Sequence, residues 1–149
     1  MKRPNAMPDG TTINLFIKGI KPVWEVEEHA QGGSWRLPIA KGYANQIWED
    51  LILAFIGEQF DIANEITGVV LQVQENTDKI GVWMRHGSDP ATVQRVKANI
   101  MRLLNLPNDV KMNFQLFHQV KESIDRKNSY EKPAPKESKN ERTLEKFTQ

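Results

Sequence analysis

Hydrophobic positions along the chain follow two different periods, and the switches between them mark out the elements. Short β-branched or alternating runs at Thr12–Phe16, Trp35–Ile39, Ile66–Val73 (ITGVVLQV), Lys79–Met84 (KIGVWM) and Val110–Phe117 (VKMNFQLF) predict strands. The polar stretch Glu75–Asp78 (ENTD) joins the third and fourth runs as a hairpin. The run from Val110 alternates apolar with polar, as an antiparallel strand with one buried face should. Two segments carry a 3.6-residue stripe instead. Over Tyr43–Ile56 the apolar positions are Ile47, Trp48, Leu51, Ile52, Phe55 and Ile56, with Gly57 placed to close that helix in a left-handed cap. The second helix runs from about Pro90 to Leu104. Asp89 suits its N-cap and Pro90 its first position; Val93, Val96, Ile100, Leu103 and Leu104 face one side, and Pro107 stops it. Strands with long connections and helices on one face predict an α+β domain with a mostly antiparallel sheet. There is no internal repeat.

The pattern ends near Phe117. From about Gln119 to Gln149 charges of both signs mix with Pro, Ser and Asn, and the apolar content is too low to offset the entropy of ordering. This predicts one domain over 1–118 and a disordered charged tail over 119–149, with a weak helical tendency near its end.

Composition narrows the chemistry. The chain has 149 residues and a net charge of +1, so nothing global draws it to nucleic acid and any such binding needs a local site. It has no cysteine, which excludes a disulfide framework, a thiolate zinc site and a cysteine nucleophile. No apolar run has the length of a signal peptide or a membrane span, so no membrane partner is expected and the cytoplasm is the default location. An enzyme would need convergent reactive groups. His29, His86 and His118 lie far apart without metal-ligand spacing, Gly32-Gly33 reads as a turn rather than a phosphate loop, and no nucleophile motif occurs. The reading is a non-enzyme with no cofactor and no metal.

The sharpest chemical signal is Pro22-Val23-Trp24-Glu25-Val26-Glu27-Glu28, followed by Gly32-Gly33-Ser34-Trp35. One reading is structural: the indole half-covers the core and the acids are a solvated face. The other is a base-recognition pair. An indole stacks on a base for about 1–3 kcal/mol, and a carboxylate accepts two hydrogen bonds from the Watson–Crick edge of guanine. Methylation at N7 gives the base a positive charge and adds a cation–π contribution.

These residues carry a family resemblance. PVWEVEEHAQGGSW, KGYANQIWEDLILAFIGEQF, GVVLQVQENTDKIGVW and the helix ending in RLLNLP resemble, in order and spacing, the translation initiation factor 4E family of mRNA 5′-cap-binding proteins. The similarity covers about Ile13 to Phe117 and leans toward the class II members, the 4E-homologous proteins. It implies a curved, mostly antiparallel sheet with helices on its convex face, and a role in translation initiation or its repression. It also implies residue roles. Trp24 would be one of two aromatics sandwiching 7-methylguanine, Glu25 would accept from N1–H and the N2 amine, Trp83 would lie against the N7-methyl group, and Lys79 would contact the cap phosphates. Trp35 and Trp48 match structural Trp residues. Trp48, Asp50 and Leu53 lie on the helix that docks YxxxxLΦ peptides of scaffold and repressor proteins. The implied partners are therefore capped mRNA and those proteins.

Two departures change the expectation. Gln74 stands where the family usually has a phosphate-binding Arg, a loss of about 1.5–3 kcal/mol, and Asn76 is uncharged where some members have Lys; Arg85 is a candidate for compensation. The family's domain also begins with two strands, a loop bearing the first sandwich aromatic, and a helix with a peptide-binding Trp, all upstream of the first matched motif here. The expectation is a 4E-like domain incomplete at its N-terminus, lacking the first strands and first helix, with an open sheet edge and half a stacking clamp. Such a clamp would bind caps about 10–100-fold more weakly than an intact one. The alternative is an interaction module, or a truncated isoform, without tight cap binding.

Overall fold

The computed structural model describes residues 3–131. In chain order the elements are β1 (Thr12–Phe16), β2 (Gly33–Ala40), α1 (Ala44–Ile56), β3 (Ile66–Gln72), β4 (Thr77–Met84), α2 (Pro90–Leu103), β5 (Asn113–Leu116) and α3 (Phe117–Glu131). The strands form one five-stranded curved sheet in the order β1-β3-β4-β2-β5, and every pairing is antiparallel. The α+β expectation holds, as does the β3–β4 hairpin.

Register decides what each face carries, because residues directly opposite one another share a face. Ile13 faces Leu71, Leu15 faces Val69, Leu71 faces Ile80, Val69 and Trp35 face Val82, and Leu37 faces Ile80. This set, with Ile39 and Met84, packs against Trp48, Leu51 and Ala54 of α1 and Val93, Val96 and Ile100 of α2 to form the core. The Trp35 indole N–H donates to the Val93 carbonyl at 2.9 Å, fastening α2 to the sheet. The intervening residues line the opposite, open face: Phe16 with Gly68 and Trp83, Gln72 with Lys79, and Ser34 and Arg36 with Gln115 and Asn113.

Helix α2 begins as its sequence predicts. Asp89 Oδ1 accepts from the Ala91 N–H at 3.2 Å and Oδ2 from the Thr92 hydroxyl at 2.6 Å. Those bonds, the Thr92 hydroxyl first, hold the Asp89 carboxyl below its ordinary pKa. Helix α1 ends differently from expectation. Gly57 has φ −79°, and the left-handed residue is Glu58, at φ 50°. Gly57 N–H still donates to the Leu53 carbonyl at 2.9 Å, so the turn persists one residue further before the chain reverses.

Two other boundaries are corrected. The strand expected over Val110–Phe117 is only Asn113–Leu116, because the chain after Pro107 is still in a turn, with Val110 N–H donating to the Pro107 carbonyl at 3.1 Å. Phe117 starts α3, so the tail does not become irregular at residue 119. Low apolar content misleads here because α3 is a largely exposed helix, for which burial is a poor guide. It contains neither Pro nor Gly; Ser123 and Ser129 donate to the Gln119 and Asp125 carbonyls, and Glu122 pairs with Arg126 at 3.9 Å. The remainder of the expected tail, 132–149, lies outside the described residues.

Candidate functional site

The segments that carry Trp24-Glu25 and Lys79–Trp83 are far apart in sequence, and a buried histidine joins them. His29 is fully buried in the short turn Glu27–His29. One ring nitrogen, Nδ1, lies 2.8 Å from the Val23 carbonyl, and the other, Nε2, lies 2.9 Å from the Thr67 hydroxyl. A carbonyl only accepts, so Nδ1 carries a proton; in the neutral ring that burial favours, Nε2 accepts from the Thr67 O–H. Burial pushes the His29 pKa down, Arg85 adds to that, and the Val23 bond and Glu28 oppose it. The ring thus fastens the residue next to Trp24 onto strand β3.

Thr67 can reach His29 because the β3–β4 register shifts between Ile66 and Gly68. Such a bulge re-aims one side chain, and here it leaves the Thr67 hydroxyl buried and turned to the loop. The Thr67 carbonyl accepts from Ile17 N–H at 3.0 Å, so both ends of the loop lead back to this residue. The loop's exit is tied as well: Gly87 N–H donates to the Gln31 carbonyl and Phe117 N–H to the Gly32 carbonyl.

Around Trp83 the rings form a cluster. Its indole lies 5.2 Å from Phe16 and 5.1 Å from His29, both edge-on, and 4.6 Å from Phe117. Aromatic contacts of this kind contribute about 0.5–1.5 kcal/mol each, so Trp83 is held as a preorganised platform, half-buried rather than lost in the core. Gly68 makes this possible, since a side chain there would run into the Phe16 ring. Gly32-Gly33, read from sequence as a turn, is also a packing requirement: a Cβ at Gly32 would meet the Met84 carbonyl and one at Gly33 the Phe114 ring.

Lys79 and Trp83 line one hollow of about 50 Å³ on the open face, together with Ser34, Arg36, Gln72 and Gly81. A neighbouring groove of about 390 Å³ shares Arg36 and Lys79 and continues over Pro38, Asn113, Phe114 and Gln115. Trp24 is half-buried and Glu25 exposed on the loop; neither lines the hollow, and they are brought to its end through His29. Gln74 and Asn76 are exposed in the turn before β4. Arg85 does not join Lys79: its Nε donates to the Asn64 carbonyl at 3.0 Å, tying it into the Ala63–Glu65 turn.

On the far side of the sheet, Trp48 is 3% exposed, a core residue of α1 whose edge reaches a surface groove. That groove, about 230 Å³, is lined by Arg3, Pro4, Asn45, Trp48, Glu49, Ile52 and Leu53. Leu53 is exposed there, while Asp50 lies outside the groove and accepts from Gln46 Nε2 at 3.0 Å. The Trp48 indole N–H is buried without an acceptor among the described residues. Residues Pro4–Ala6 lie against α1, with Asn5 N–H donating to Asn45 Oδ1 at 3.0 Å.

Sequence reasoning missed His29, Phe16, Phe117 and Arg36 as parts of this region. No spacing rule links His29 to Thr67, and only the bulge brings them together. Arg36 was visible in principle, because its parity along β2 sets it opposite to Trp35 and Leu37.

The eukaryotic initiation factor 4E family profile matches residues 1–134. The chain belongs to the eukaryotic initiation factor 4E family. Among similar relatives, the eukaryotic translation initiation factor NCBP of Oryza sativa subsp. japonica is 36% identical over 115 residues, covering 77% of this chain and 51% of that protein. Eukaryotic translation initiation factor 4E-4 of Caenorhabditis elegans is 35% identical over 114 residues, 76% of this chain and 54% of that one. The chain thus spans about half the length of these curated relatives. Among solved structures, C. elegans eIF4E-3 in complex with the 4E-binding protein Mextli and cap analog superposes with a TM-score of 0.77 at 27% identity, covering 83% of this chain and 71% of that one. Ascaris suum eIF4E-3 with m2,2,7G cap gives a TM-score of 0.73 at 27% identity, covering 78% and 67%. Membership accounts for the shape of the sheet and for the order of the four motifs. Among the described residues of this family member, no helix is long and apolar enough to cross a membrane.

Proposed function

We propose that this 4E-family chain recognises the 7-methylguanosine cap of mRNA and acts, without catalysis, in translation initiation or its repression in the cytoplasm. The observation that carries the reading is the His29 bridge, which pins the Trp24-Glu25 loop beside Trp83 at the end of the open face that bears Lys79. Trp24 stacks on the methylated base, where the positive charge strengthens the contact. Glu25 accepts from the base's N1–H and N2 amine, which selects guanine. Trp83 bounds the N7-methyl group, and Lys79 meets the phosphates. The solved relatives in complex with cap analog and with m2,2,7G cap support this assignment by analogy.

The α1 groove suits a second partner. Leu53, Ile52 and the edge of Trp48 offer an apolar strip to the Leu-Φ end of a YxxxxLΦ helix. Scaffold or repressor proteins with this motif are the proposed partners; C. elegans eIF4E-3 was solved in complex with the 4E-binding protein Mextli.

Retention on 7-methyl-GTP resin tests the cap reading. The wild-type chain is expected to be retained and released by free 7-methyl-GTP but not by GTP, and Glu25→Ala to pass through. Equal retention of the two proteins would remove the specific role of Glu25.

A further inference from the structure

On the family resemblance Gln74 stands where a phosphate-binding arginine is expected, and the open face carries a second cation that the resemblance does not assign. Arg36 projects from β2 onto the same face as Lys79. Lys79 lies opposite Pro38, and Arg36 is two residues from Pro38, so the two cations are diagonal neighbours. Diagonal Cα positions on adjacent strands are roughly 7–8 Å apart, within reach of two long side chains converging on one anion. Both residues line both the 50 Å³ hollow and the 390 Å³ groove.

The surroundings favour an anion. Among the described residues no carboxylate lines either space; the other polar side chains include Ser34, Gln72, Asn113 and Gln115. The nearest acid in sequence, Asp78, points to the other face, where it is 2% exposed, receives Lys41 Nζ at 2.7 Å and accepts from Gln74 N–H at 3.3 Å. It therefore does not neutralise Lys79. Arg36 lies opposite Gly81, where a Cβ would stand 3.2 Å from Ser34 Oγ and 3.5 Å from Trp83 Nε1. The absent side chain leaves the floor of the hollow open between the cations and Trp83.

We propose that Arg36 and Lys79 form a two-cation seat for the phosphate chain of the capped nucleotide, with Arg36 supplying the charge that Gln74 lacks. The seat rests on the cap-binding reading and extends it to the polyphosphate. A guanidinium also offers the paired N–H geometry that a phosphate accepts bidentately, which a lysine in its place would not.

The test is a Trp-fluorescence titration of the full chain with 7-methylguanosine, its monophosphate, its diphosphate and 7-methyl-GTP, for wild type, Arg36→Gln and Arg36→Lys. Wild type is expected to gain affinity as phosphates are added. Arg36→Gln should lose roughly tenfold on 7-methyl-GTP while binding the nucleoside unchanged, and Arg36→Lys should fall between them. Arg36→Gln equal to wild type across the series overturns the seat and leaves cap recognition standing, as does a wild type that gains nothing from phosphates. A wild type with a cooperative melt that binds none of the four overturns both. The Lys variant, which keeps the charge and the aliphatic stem, separates a lost contact from a lost fold.

Discussion

The two faces of the sheet obey different rules. The helix-covered face is closed and redundant: Leu71, Ile80, Val82 and Met84 are at most 2% exposed and each is one of many neighbours in a continuous core. The open face is dry only at one end, where Phe16, His29, Trp83 and Phe117 meet, and becomes wet and cationic toward Arg36 and Lys79. On the first face stability is the product of packing. On the second, a small aromatic cluster serves to hold a loop and a platform in place, and the remaining residues are free to be chosen for chemistry. The comparison teaches that substitutions at adjacent positions on one strand should report on different properties.

The largest contrast lies across β3 and β2. Leu71→Ala, which empties a fully buried site, should cost about 2–5 kcal/mol in urea unfolding, whereas Arg36→Gln on the open face should change stability by no more than about 0.5 kcal/mol. A comparable loss for both would erase the distinction between the faces. Gly68→Ala sharpens it, because Gly68 lies on the open face but under the Phe16 ring. It should cost about 1–3 kcal/mol as an overpacking change, with a shifted Trp emission as Trp83 loses its edge contact; a neutral effect would mean that the aromatic cluster is loosely held.

The pH dependence should be smaller and specific to His29. Its folded pKa is lowered by burial, so the unfolded chain binds the proton more readily. Its contribution is fully present above the unfolded value of about 6.5 and is lost as pH falls from there toward the folded pKa. Thermal stability should therefore decline as pH falls below about 6.5, and His29→Phe should show a flatter profile over the same range. An unchanged slope in the variant would place the titration elsewhere.

How far the sequence revealed this division depends on the kind of signal. Alternation along β2 and β4 encodes which side is buried, whereas β3 is a continuous apolar run buried on both faces. The caps of α2 were legible through Asp89 and Pro90, whose side-chain chemistry acts within one turn. The His29–Thr67 bond was not legible, since it depends on a bulge that no local pattern announces. Helix α3 escaped for a different reason: a criterion based on burial cannot see a helix that is largely exposed. Trp24 and Glu25 stood out as an indole beside a carboxylate, Trp83 and Lys79 became candidates only through motif resemblance, and Arg36 only through register.

The central claim is that a loop pinned by His29 presents Trp24 and Glu25 for a methylated guanine beside Trp83. The most direct measurement is a Trp-fluorescence titration with 7-methyl-GTP and with GTP, on wild type and Glu25→Ala, each after a cooperative thermal melt has been recorded. The account predicts saturable quenching of wild type by the methylated nucleotide alone, lost in Glu25→Ala. A folded wild-type chain that responds equally to both nucleotides, or to neither, would contradict it.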